Sequence, residues 1–113
     1  MRWGLLFALL LAGCSKGPDA DLPSIGQARS LIAEWAAVNG AAAQGEVTAT
    51  YAATMRKQIR EQLQQTQSQL KQPKSAYGAE IEAALALADE TPSPSLRAHA
   101  VRLKRIEDSL ESA

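Results

Sequence analysis

Apolar residues recur at three- and four-residue steps through four stretches of the chain, with polar residues between them. In the first stretch Ile25, Ala28, Ile32 and Trp35 share one face, flanked by Leu31 and Val38, which is the spacing of an amphipathic helix. Ser24-Ile25-Gly26-Gln27 reads as its capping box and Asn39-Gly40 as its stop, with Ala41-Ala42-Ala43 able to extend it. The second and longest stretch runs from near Glu46 to Gln72, with Val47, Tyr51, Met55, Ile59, Leu63 and Leu70 as apolar positions and Pro73 as its limit. Steps of four overshoot a helical turn, so this stripe drifts around the helix and meets different neighbours along its length. Ser75 caps a third stretch carrying Tyr77, Ile81, Ala84, Leu85 and Ala88, with Gly78 weakening its first turn. Ser93-Pro94 opens a fourth, in which Leu96, His99, Leu103, Ile106 and Leu110 alternate steps of three and four. Alternating β-branched runs are absent. The fold class expected is all-α: a small up-down bundle of about four helices joined by short loops.

The N-terminus follows a different pattern. Arg2 precedes an unbroken apolar run, Trp3 to Leu11, which ends in the small residues Ala12-Gly13 and the single cysteine, Cys14. A charged start, a short apolar run and small residues before a cleavage point are the layout of a secretory signal. The run falls short of the roughly 20 apolar residues that cross a bilayer. Leu11-Ala12-Gly13-Cys14 resembles the lipobox of bacterial lipoprotein precursors. The resemblance covers the first fourteen residues and implies cleavage between Gly13 and Cys14, with lipidation of Cys14. It further implies a membrane anchor of several acyl chains, which holds stably where a single chain would not. Ser15 after the cysteine, in place of Asp, points to the outer membrane and a periplasm-facing domain. The domain division expected is a signal peptide at 1–13, the lipidated cysteine and a flexible tether at 14–23, and a helical domain at 24–113. Two prolines, a glycine and three charged residues between Ser15 and Pro23 argue for the tether.

Composition narrows the function classes. After residue 13 about one hundred residues remain, enough for one small domain. Twelve basic and twelve acidic residues balance, which argues against nucleic acid as a partner. With no cysteine beyond Cys14, no intramolecular disulfide can form, and the core must hold by packing.

Candidate chemistry is sparse. His99, the single histidine, falls on the apolar stripe of the fourth helix, and Met55 is the one methionine after residue 1. A methionine and a histidine in a bundle resemble the axial ligands of bundle cytochromes. The methionine stands in the wrong helix for that family, and no haem-attachment motif is present. Ser68-Gln69-Leu70-Lys71 matches the Ser-x-x-Lys motif of penicillin-binding enzymes, without its companion motifs. Gln62, Gln64, Gln65, Gln67, Gln69 and Gln72 form an uncharged polar stretch, and basic residues cluster at Arg56, Lys57 and Arg60 and at Arg97, Arg102, Lys104 and Arg105. No phosphate loop, carboxylate dyad or metal-ligand spacing is recognisable, and no nucleophile with its base can be assembled.

Catalytic, cofactor-binding and metal-binding residues are therefore not assigned, and the functional positions are Cys14 for lipidation and Gly13-Cys14 for cleavage. The function expected is a membrane-anchored, non-catalytic interaction or assembly module of the bacterial envelope. Its partner would be an envelope protein, met through the apolar positions of the second helix and through Trp35 if exposed. The alternative is a small-ligand or cofactor carrier using the bundle interior, with His99 and Met55 as polar handles.

Overall fold

The computed structural model describes residues 18–112. A 3-10 turn, Pro18–Asp21, leads into four helices: α1 (Leu22–Ala43), α2 (Ala49–Ser68), α3 (Ala76–Leu85) and α4 (Ser93–Ser112). The described residues contain no strand. The fold is a small all-α four-helix bundle in which α1 is the central element: α2 and α4 both pack along it, and the short α3 packs on α2 and α4. Two fully buried alanines, Ala28 and Ala36, let neighbours approach α1 closely. Trp35, Ile25 and Ile32 from α1, Leu63 from α2, Ile81 from α3, and Leu96 and Leu103 from α4 fill the interior.

The helix starts differ instructively from the sequence expectation. α1 begins at Leu22, not after Ser24, and a 3-10 turn at Pro18–Asp21 leads into it. Pro23 stands in the first turn, where a missing N–H costs nothing. Asp21 precedes the helix without capping it. Its buried carboxylate instead accepts from the backbone N–H of Lys71 (2.7 Å) and Gln72 (2.9 Å) and from the Tyr77 hydroxyl (2.6 Å). Burial by itself would raise the Asp21 carboxyl, but these donors outweigh it and hold the group below its ordinary value. The same contact, together with burial, raises the Tyr77 hydroxyl.

α1 runs through Asn39-Gly40 and ends at Ala43. The turn is made by Gly45 at φ 72°, with its N–H on Ala42 O and that of Glu46 on Ala41 O, a Schellman ending. The Thr48 side chain caps α2 by accepting from the Tyr51 N–H at 3.1 Å. α2 ends at Ser68, short of Pro73, because Leu70 turns into the core and the next two N–H groups go to Asp21. Ser75 caps α3 as expected, accepting from Gly78 N–H at 3.2 Å. Gly78 is required by close approach: a Cβ there would lie 2.1 Å from the Pro73 carbonyl oxygen. α4 starts at Ser93 itself, with Pro94 in its first turn and the Pro92 carbonyl accepting from Ser95 and Leu96.

Candidate functional site

The sequence-assigned functional residues Gly13 and Cys14 lie outside the described residues. Their placement along the chain still bears on the site, because only Ser15, Lys16 and Gly17 separate Cys14 from the ordered turn at Pro18.

His99 is half-buried on α4, and its Nδ1 pairs with Glu80 Oε2 on α3. Arg102 Nε donates to the other Glu80 oxygen at 3.0 Å. Burial pushes the Glu80 carboxyl up, but Arg102 and then His99 outweigh it and leave the group below its ordinary value. This cluster ties α3 to α4. Met55, half-buried on α2, takes no part in it, so the two residues are not assembled as handles of one interior site. Trp35 is not a surface residue: it is fully buried, and its Nε1–H donates to the Asp89 carbonyl at 2.9 Å. Ile59, Leu63 and Leu70 are likewise core residues. Of the second helix's apolar positions, Val47, Tyr51 and Met55 remain accessible, at one end of the bundle.

The other candidates resolve into ordinary structure. Ser68 is exposed and donates to Gln65 O, while Lys71 lies past the end of α2. The glutamines are solvated, apart from the half-buried Gln67. Arg60 is not a patch residue: it reaches from α2 to donate to Leu85 O (2.8 Å) and Leu87 O (2.9 Å), and its guanidinium lies 5.0 Å from the Trp35 ring centroid. The first of these carbonyls belongs to the last residue of α3, so Arg60 completes that helix end from outside. Glu107, Asp108 and Glu111 bring one carboxylate oxygen each within 4.8 Å of one another, a juxtaposition the spacing did not reveal. Two of the three are already paired, Glu107 with Arg29 and Asp108 with Lys104, each at 2.9 Å.

The site that emerges is a cleft of about 620 Å³ at one end of the bundle. It is walled by the last turn of α1, the first turns of α2 and the Glu90–Pro94 segment. Its walls are small and apolar, among them Gly40, Ala42, Ala43, Val47, Ala52 and Pro92. Asn39 forms part of its wall. That side chain is buried, and its Nδ2 donates to Asp89 O (2.9 Å) and Thr91 O (2.7 Å), holding the α3–α4 loop against α1. Its Oδ1 accepts from Arg56 Nε at 2.7 Å. Both N–H groups and the oxygen of the Asn39 amide are thereby engaged, and the Arg56 guanidinium is fixed on the cleft wall. The two terminal nitrogens of Arg56 have no hydrogen-bond or ion-pair partner among the described residues.

Sequence reasoning missed this site for a specific reason. Asn39 reads as a helix stop and Arg56 as part of a surface cluster, and nothing local joins residues 17 positions apart on different helices. The available signal was an asparagine directly after a run of core positions. No described helix is long and apolar enough to cross a membrane. No family model, no curated protein and no solved structure matches this chain.

Proposed function

We propose that this chain is a lipid-anchored, non-catalytic contact module of the bacterial envelope, held on the outer membrane and facing the periplasm, which engages an envelope protein through the cleft at its far end. The observation that carries the reading is the polarity of α1. Its first turn follows Asp21, close in sequence to the lipobox cysteine, and its last turn forms the cleft wall. At 1.5 Å per residue, the 22 residues of α1 separate the two ends by about 33 Å. Four residue steps from Cys14 to Pro18 span at most about 14 Å. An anchor at Cys14 would keep the Asp21 end near the bilayer and leave the cleft at the other end of α1, at most about one helix length further out.

The experiment is crosslinking in living cells, with a photo-reactive amino acid at position 43 or 47 on the cleft and at position 65 on the solvated face of α2, followed by mass spectrometry. The expected result is a membrane-fractionating, acylated protein that crosslinks one envelope protein reproducibly from positions 43 and 47 and not from 65. Cys14→Ala should leave it unacylated and reduce the crosslink. An unacylated wild-type chain, or equal crosslinking from all three positions, would overturn the reading.

A further inference from the structure

The chemistry of the cleft restricts what enters it. A cavity of this size falls in the range that holds a ligand or a short chain segment. Asn39 and the loop carbonyls that it holds make one of its walls. The walls carry glycine, alanine and valine, which let another backbone come close. The one cation on the wall is Arg56, half-buried, oriented through Nε by Asn39 and left with its terminal N–H groups unused among the described residues. A guanidinium held by one edge presents its remaining donors as a fork suited to a carboxylate.

We propose that the cleft takes the carboxyl-terminal end of a partner polypeptide, with its terminal carboxylate on Arg56 and its small apolar last side chains against Val47, Ala49 and Pro92. A chain end carries its carboxylate on the backbone itself, so the small walls can admit that backbone while the Arg56 fork meets the charge. Glu90, exposed and also lining the cleft, disfavours negative groups other than the one that Arg56 meets. This inference rests on the contact-module reading above and names the chemistry of the partner.

The test uses the chain as it is produced in its host, reconstituted in lipid nanodiscs, against a library of peptides displayed with free carboxyl ends and randomised over their last five positions. Selected sequences are then synthesised as free acids and as amides. The expected result is enrichment of peptides ending in apolar residues, with binding about tenfold or more weaker for the amide. Arg56→Ala should weaken binding by a similar factor. Arg56→Lys should fall between, because it keeps the charge and loses the fork. Ala43→Trp, at an exposed position on the rim, should block entry while leaving Arg56 and the helical circular dichroism signal unchanged, so loss of binding there is not loss of fold. No enriched sequence, equal binding of acid and amide, or binding indifferent to both Ala43→Trp and Arg56→Lys would overturn the proposal. So would displacement of cleft resonances by octanoate with no peptide selected, which would make the occupant a lipid-like acid. Crosslinking from position 43 in cells without peptide selection would refute this inference and leave the contact-module reading standing; failure of both would refute both.

Discussion

Replacing Asp21 by alanine removes one acceptor and strands three donors. Two are the backbone N–H groups of Lys71 and Gln72, at 2.7 and 2.9 Å, and both belong to exposed residues that water can reach. The third is the Tyr77 hydroxyl, at 2.6 Å, on a residue only 3 % exposed. A hydrogen bond to a charged group contributes about 1.5–3 kcal/mol, and a buried donor left alone costs about 1–3 kcal/mol. Relief of the carboxylate's burial offsets part of this, because the charged form is penalised by desolvation. The expected net loss is about 3 kcal/mol, a large share of the roughly 5–15 kcal/mol typical of a domain. Tyr77→Phe removes one bond without stranding a donor and should cost about 1 kcal/mol. The assay is urea unfolding followed by circular dichroism on both single variants and the double variant. Because Asp21 sits below its ordinary value in the fold, the unfolded chain takes up the proton first as pH falls. The stabilisation is therefore complete at neutral pH and is lost as pH drops through the carboxylate range below about 4. Asp21→Ala should flatten that acid limb. A loss below about 1 kcal/mol, or an unchanged acid limb, would refute the account of Asp21 as the clamp between the first turn and the α2–α3 connection.

Three further outcomes follow from described contacts. Gly78→Ala should lower the thermal midpoint by the equivalent of about 3 kcal/mol, although alanine favours an isolated helix by about 1 kcal/mol, because its methyl would meet the Pro73 carbonyl. Arg60→Ala should cost about 2–3 kcal/mol in chemical unfolding, through two stranded carbonyls and the lost stacking on Trp35, and Arg60→Lys should recover only part of it. Glu80→Gln should weaken the α3–α4 link by about 1–2 kcal/mol at neutral pH and much less at pH 3, since Glu80 is also held below its ordinary value and its benefit is lost on acidification; pH-dependent unfolding of the variant against wild type reads this directly.

What the sequence made legible was the local pattern. The four helices, the Ser75 cap and the core positions Leu96 and Leu103 all follow from spacing and turn chemistry within a few residues. The helix start at Leu22 was not legible because proline and aspartate read as loop residues when taken locally. Here the proline occupies a permitted first-turn position, and the aspartate is recruited by a segment 50 residues away. The same holds for the cleft. Asn39, Arg56 and Arg60 act on partners 17 to 52 positions distant, and periodicity is blind to a polar side chain whose purpose is to join elements. Trp35 shows the other side of this. Its place on the apolar face was legible, but not the Asp89 carbonyl that accepts from its N–H or the Arg60 guanidinium over its ring.

α3 has ten residues, too few to persist alone in water. Both of its ends depend on other parts of the chain: its first turn is wedged under Pro73 at Gly78, and its last carbonyl is met by Arg60 from α2. It packs chiefly on α2 and α4 and only lightly on α1. In kinetic terms α3 has no independent nucleus. The pairings of α1 with α2 and α4 make the larger platform, and α3 is the element most dependent on it. Its amides should therefore exchange with solvent through a lower-energy opening than those of α1, making α3 the segment that releases first when the bundle is strained and the one whose closure completes it.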